Sequence, residues 1–203
     1  MAIENLRENV SKVLSGKECI LFNNKKTDYK LMQFWQWSAS DLLSNATRGR
    51  FAEFIVASAM ELDLTGELRK DWGEYDLDAW DCGGIKIEVK SSSYLQSWEQ
   101  NHYSTINFSI KKHGKTSISR EKNNINRPSD VYVFCLLKHK DKKTVNPLNM
   151  NQWAFYVLST KTINTVFQEK NSISLNSLEK ITQKIEYNIL KEIIIERSNE
   201  NYR

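Results

Sequence analysis

A chain of 203 residues that is 40% hydrophobic, 11% aromatic and 27% charged has the composition of an ordered globular protein. It has room for one well-buried α/β core but is short for two independent enzymatic domains. Its longest apolar stretches, such as Val131 to Leu137, fall far short of the roughly 20 residues that cross a bilayer, so no membrane role is expected. The formal net charge of +4 is compatible with a polyanionic partner without requiring one.

The first residues, Met1-Ala2-Ile3-Glu4-Asn5-Leu6-Arg7-Glu8, lack the basic segment and apolar run of a secretion signal, and a cytoplasmic location is expected. Cys19, Cys82 and Cys135 are too widely spaced for a disulfide framework or a CxxC zinc site and read as reduced thiols. Residues 1 to 45 read as an N-terminal helical and aromatic extension. A helical stretch around Ile3 to Leu14 is followed by a polar region and then the cluster Phe34-Trp35-Gln36-Trp37, whose expected role is packing. A core at 46 to 165 and a C-terminal helical segment at 166 to 203 complete one structural domain.

The core opens with a helix from Arg48 to about Leu62, with Thr47 as its expected N-cap. Tyr75 to Trp80 and Ile85 to Lys90 then flank Cys82-Gly83-Gly84, the strongest hairpin signal in the chain. Further strands are expected at Thr105 to Ile110, Asp130 to Leu137 and Trp153 to Leu158, the last two joined by the polar segment Lys138 to Asn151. Asn176-Ser177-Leu178-Glu179 has the form of a capping box opening a helix through Ile185, and a second amphipathic helix spans about Tyr187 to Arg197. This order predicts an α/β fold with a mixed central sheet flanked by helices and carrying helical extensions at both ends.

Chemistry concentrates in Ile87-Glu88-Val89-Lys90. Alternation along a strand puts Glu88 and Lys90 on one face and Ile87 and Val89 on the other. A half-buried carboxylate and amine are costly to desolvate unless they serve each other or a metal ion. Whether Asp76 and Asp78 join them depends on the turn. A two-residue turn at Cys82-Gly83 sends both aspartates to the opposite face, whereas a three-residue loop, Cys82-Gly83-Gly84, sets Asp78 opposite Glu88 and Asp76 opposite Lys90. The second glycine favours the longer loop, which needs a positive φ near its end. Clustered carboxylates raise one another's pKa, a penalty that a hard divalent cation removes, and Mg2+ or Mn2+ is the natural candidate. Glu53 shares a mostly apolar helix face with Gly49, Val56 and Ala57 and so needs a partner, either this patch or Arg50 at the surface.

Glu53 on the first core helix, Asp76 in Tyr75-Asp76-Leu77 and the ExK element Glu88-Val89-Lys90 resemble the PD-(D/E)xK nuclease superfamily, the restriction-endonuclease-like group. Tyr75 stands where the name-giving motif has Pro. The stretch Ile87 to Gln100 also resembles a group of small uncharacterised bacterial proteins. The resemblance implies a restriction-endonuclease-like core and Mg2+-dependent hydrolysis of phosphodiester bonds in DNA, most simply endonucleolytic, with RNA left open as substrate. By residue, it implies that Asp76, Glu88 and the Val89 backbone carbonyl hold the metal, with Asp78 as the alternative to Asp76. Glu53 becomes an outer or second-site ligand, Lys90 orients or deprotonates the attacking water, and Gln96 contacts the metal-bound water or phosphate. The competing expectation is a nucleic-acid-binding subunit on a nuclease fold that is inactive alone. A homodimer or larger complex is compatible with either.

Lys111, Lys112, Lys115, Arg120, Lys122 and Arg127 could track a phosphate backbone or form a solvated loop. Lys138, Lys140, Lys142 and Lys143 read as a solvated loop. Tyr94, Trp98 and Tyr103 could stack bases, although packing is the commoner fate of aromatic residues beside a strand. His102, His113 and His139 lack metal-ligand spacing.

Overall fold

The structure, a computed structural model, describes residues 12–66, 68–69, 73–112 and 126–202 and divides into two compact units. The first comprises residues 1–40 and 63–71. The polar region expected between helix and aromatic cluster is a hairpin: β1 (Cys19–Phe22) pairs antiparallel with β2 (Lys25–Lys30). Asn23 and Asn24 form its turn with φ of 49° and 61°. Such two-residue turns need positive φ at both positions, which asparagine tolerates, so the Asn-Asn pair was a readable signal. Of the expected Ile3 to Leu14 helix, residues 3–11 lie outside the described residues and 12–14 are irregular.

Helix α1 (Leu31–Ala39) follows, its first backbone N–H groups supplemented by Gln33, whose side chain accepts from Lys30 N–H at 2.7 Å. Its aromatic residues do not pack as expected: Phe34 and Trp37 are 50% and 84% exposed. Gly16, at φ +83°, passes so close beneath this helix that an added Cβ would lie 2.8 Å from Met32 and 2.9 Å from Trp35.

The second unit, residues 41–62 and 72–203, is built on a mixed four-stranded sheet. Its order is β3 (Leu77–Ala79), β4 (Ile85–Ser93), β6 (Val131–Leu137), β7 (Trp153–Ser159), with β4 and β6 parallel and the other neighbours antiparallel. Every residue of β6 and β7 is buried, because both sheet faces are covered and continuous apolar runs are then required. One face packs on α2 (Asn45–Ala59) and α5 (Leu190–Ser198) through Ile55, Val56, Ile87, Val133, Leu190 and Ile194. The other packs Tyr132, Phe134 and Tyr156 against α3 (Thr160–Val166) and a small sheet of β5 (Asn107–Ser109) with β8 (Ser172–Ser174). The α/β class, the mixed sheet and the flanking helices agree with the sequence. Among the described residues no helix is long and apolar enough to cross a membrane.

Helix boundaries moved where hydrogen bonding decided them. The first core helix starts at Asn45, after Ser44 rather than Thr47, because Asp41 turns the chain by accepting from Leu43 N–H and Ser44 N–H. The C-terminal capping box is also displaced. Ser174, not Asn176, accepts from Ser177 N–H and opens only the short α4 (Leu175–Glu179). That helix stops because Ile185 exchanges two backbone hydrogen bonds with Phe155, of 2.9 and 3.1 Å, and satisfies the open edge of β7. The last helix begins as a 3-10 turn at Tyr187–Ile189.

Gly16→Ala is expected to destabilise the first unit by about 1–3 kcal/mol through backbone strain and the clash with Met32 and Trp35. Faster amide exchange across β1, β2 and α1, with the second unit unchanged, is the signature to measure.

Candidate active site

The hairpin uses neither of the turns expected from Cys82-Gly83-Gly84. The connection between β3 and β4 is five residues: a 3-10 turn at Trp80–Cys82, then Gly83 and Gly84 at φ 88° and 71°. Ala79 pairs with Ile85, Asp78 with Lys86 and Leu77 with Ile87. The paired register ends at Leu77 and Ile87; just before it, Asp76 N–H donates to Ile87 C=O at 3.1 Å, which holds Asp76 beside the Glu88 segment of β4. Compared with the three-residue loop, each partner has moved by two residues. Side chains alternate with a period of two, so the aspartates stay on the face of Glu88 and Lys90, whereas a one-residue slip would remove them.

Asp76 Oδ2 accepts from Val89 N–H at 2.8 Å and lies 4.0 Å from Lys90 Nζ. Lys90 forms its short ion pair with Glu88, which is 2% exposed. Burial, followed by the negative charge of Glu88, pushes the Asp76 carboxyl up to about 6 against the opposing pull of Lys90 and the Val89 N–H. The charge of Glu53 contributes in the same direction, so this α2 residue lies within electrostatic reach of the pair. Glu53 is itself buried while Arg50 is exposed. Asp78 is placed differently: it stands opposite Lys86, and its Oδ2 accepts from Tyr75 Oη at 2.9 Å.

Residues without a role in the sequence reading complete the surroundings. Ser129 Oγ lies 3.4 Å from Glu88 Oε2. It is held there by Asp130, which exchanges hydrogen bonds with Lys86 backbone atoms at 2.7 and 2.8 Å. Tyr132 sits beside Glu88 across the β4–β6 pairing. Burial, and next the Glu88 charge, raises its phenol pKa, and its hydroxyl has no hydrogen-bond partner among the described residues.

Arg48 is 4% exposed. Its guanidinium donates to Leu43 C=O, Asn45 Oδ1, Ser91 Oγ and Gln96 Oε1, and burial lowers its pKa. These bonds tie the start of α2, the helix that carries Glu53, to the strand that carries Glu88 and Lys90. The sequence reading gave Arg48 no role, although its spacing from Ala52, Ile55 and Val56 is the pattern of one helix stripe. Gln96 accepts from Arg48 and donates to Ser93 C=O and Ser104 Oγ at 3.1 and 3.0 Å, so its amide is engaged within the chain.

Among the described residues no three His, Cys, Asp or Glu side chains converge as a ready metal cage. Asp76 and Glu88 share the Lys90 ammonium, and Glu53 acts on Asp76 electrostatically. Of the basic residues after β5, Lys111 is exposed and Lys112 pairs with Glu169 at 2.6 Å. Arg127 is buried and donates to Ile110, Gln168 and Lys170 carbonyls and to Asn164, so it tracks no phosphate. Lys115, Arg120, Lys122 and His113 lie outside the described residues.

A family model described as bacteriophage T4 endonuclease IV matches residues 3–192. No curated protein sequence matches the chain significantly.

The raised Asp76 pKa has a definite sign for stability. A folded value of about 6 against an ordinary 3.8 means that the fold favours the protonated form, so stability is present at the acidic end of that window and lost as pH rises through it. In metal-free buffer, Asp76→Asn is expected to melt at a higher temperature than wild type near neutral pH, the gap closing on acidification toward pH 4. A pH-independent difference contradicts the placement of this carboxyl.

Proposed function

Because the chain belongs to the bacteriophage T4 endonuclease IV family, we propose that it is a divalent-metal-dependent DNA endonuclease of the PD-(D/E)xK type, with Asp76, Glu88 and Lys90 as its centre. The observation that carries this reading is that the Asp76 carboxylate, held by Val89 N–H, stands 4.0 Å from Lys90 Nζ, which itself pairs with Glu88.

The donor set suits Mg2+ or Mn2+. Asp76 and Glu88 are hard oxygen ligands on adjacent strands, and Mg2+ needs only one or two protein carboxylates because it keeps several waters. Burial first, and the Glu88 charge next, raise the Asp76 pKa, a cost that the charge of a divalent ion would offset. Asp76, Glu88 and the Val89 carbonyl would hold the ion, with Glu53 as an outer ligand. When bound, such an ion acts as a Lewis acid toward a phosphoryl oxygen and acidifies water.

The chain's own groups do the rest. The Val89 N–H fixes the rotamer of Asp76, and Ser129 steadies Glu88 from the β6 side. Lys90, drawn to the face by the two carboxylates, orients the attacking water, takes up its proton or offsets negative charge building on the phosphate. Arg48 and Gln96 act as positioning residues that hold α2 against β4.

With plasmid DNA and Mg2+ or Mn2+, Lys90→Ala is expected to slow cleavage by roughly 10²–10⁴-fold while Mn2+ binding persists. Asp76→Asn is expected to weaken Mn2+ binding in calorimetry, with Asp78→Asn close to wild type. Cleavage that continues in EDTA, or at full rate in Lys90→Ala, sinks this reading.

A further inference from the structure

A cleft of about 370 Å³ lies beyond the end of β4, lined by Leu95, Asn101, His102, Tyr103, Lys140 and Lys142. It belongs to the same unit as Asp76, Glu88 and Lys90. Tyr94, next to the cleft-lining Leu95, is four residues past Lys90, roughly 13 Å along an extended chain, and packs against the sheet face that Glu88 and Lys90 share. Ligands of open α/β sheets bind beyond the carboxyl ends of strands.

The cleft is formed by a braced loop. Ser104 N–H donates to Tyr94 C=O at 3.0 Å and closes the neck of residues 94–104. Gln100 spans the interior, donating to Tyr94 C=O, His102 C=O and Ser104 Oγ and accepting from Gln96 N–H. Tyr103 Oη and Lys142 Nζ tie this loop to the β6–β7 connection through Lys140 C=O and Trp98 C=O.

What the loop displays is aromatic and cationic. The Tyr94 and Tyr103 rings meet edge to face at 6.2 Å, and Lys140 Nζ stands 4.4 Å and 5.5 Å from their centroids. Tyr103 and Trp98 are 52% and 53% exposed, so their rings do not fill the core. An exposed tyrosine ring with one ammonium group against it and a second lysine lining the same cleft has the pattern of a nucleotide subsite: a π-face for a base and cations for its phosphates. The volume exceeds the lower limit for small-ligand clefts.

The geometry points to this cleft as a subsite for one unstacked nucleotide of the DNA strand, its base against Tyr103 and its flanking phosphates on Lys140 and Lys142. The subsite holds the strand a short, fixed distance from the hydrolytic centre. This inference rests on DNA being the substrate, as proposed above.

The test is fluorescence anisotropy in EDTA, where no cleavage occurs, with wild type and variants binding two labelled 14-base-pair duplexes, one fully paired and one carrying a single unpaired nucleotide. Wild type is expected to prefer the bulged probe. Tyr103→Leu and Lys140→Ala are expected to lose about ten-fold in affinity for it and most of the preference, and Tyr103→Phe is expected to retain both. Because Tyr103 and Lys140 are exposed, unchanged melting temperatures will show that the fold survives. Equal affinities in wild type and variants overturn the proposal, as does tighter binding of a free deoxynucleoside monophosphate than of the bulged duplex. Tyr103-dependent binding without cleavage on adding Mn2+ would support the subsite and sink the hydrolytic reading. Cleavage that depends on Lys90, with affinity independent of Tyr103 and Lys140, removes the subsite alone.

Discussion

Backbone pairing between Leu77–Ala79 and Ile85–Ile87 carries the site, because it forces charged side chains that repel or attract one another into one small region of a sheet. Neither Asp76 nor Glu88 would choose the other as a neighbour. The strand register holds them together, and the fold compensates locally with the Val89 N–H and Lys90. Burial makes the arrangement costly: Glu88 is nearly inaccessible, and Asp76 is pushed toward its protonated form.

The two faces of the sheet contribute differently. The face covered by α2 and α5 is an apolar core that anchors the helix bearing Glu53 against β4. The opposite face turns Glu88 and Lys90 toward Tyr132, Phe134 and the small β5–β8 sheet. Arg48 ties α2 to β4 on the first of these faces. It is buried in the sheet-facing stripe of α2 yet bonded to Ser91 and Gln96, and four of its five N–H groups are satisfied by neutral oxygens, which makes a buried guanidinium tolerable. Ser129 and Asp130 provide a comparable fixed point where β6 begins beside β4.

Much of this was legible in the residues. The alternation Ile87-Glu88-Val89-Lys90, the glycine pair and the unbroken apolar runs of β6 and β7 identified the strands and the charged face, since period-two patterning and continuous burial both follow from local chemistry. The N-terminal hairpin was missed although the Asn-Asn turn marked it. The C-terminal helix was drawn too long because the backbone demand of the β7 edge, met by Ile185, is a long-range condition.

The sequence by itself determined the class of fold, the strand carrying Glu88 and Lys90, and the need of Glu53 for a polar partner, because each follows from periodicity along a single element. Only the tertiary structure decided which aspartate joins Lys90 and Glu88: the Asp76 carboxylate reaches Lys90, while Asp78 is taken up by Tyr75. The five-residue connection, with its 3-10 turn and two left-handed glycines, shifts the register by one full pleat beyond the expected loop. Turn geometry depends on how Trp80 to Gly84 settle against the rest of the hairpin, and no spacing rule reads that out. The carboxylates converged all the same, because a shift of two residues preserves the face on which a side chain emerges.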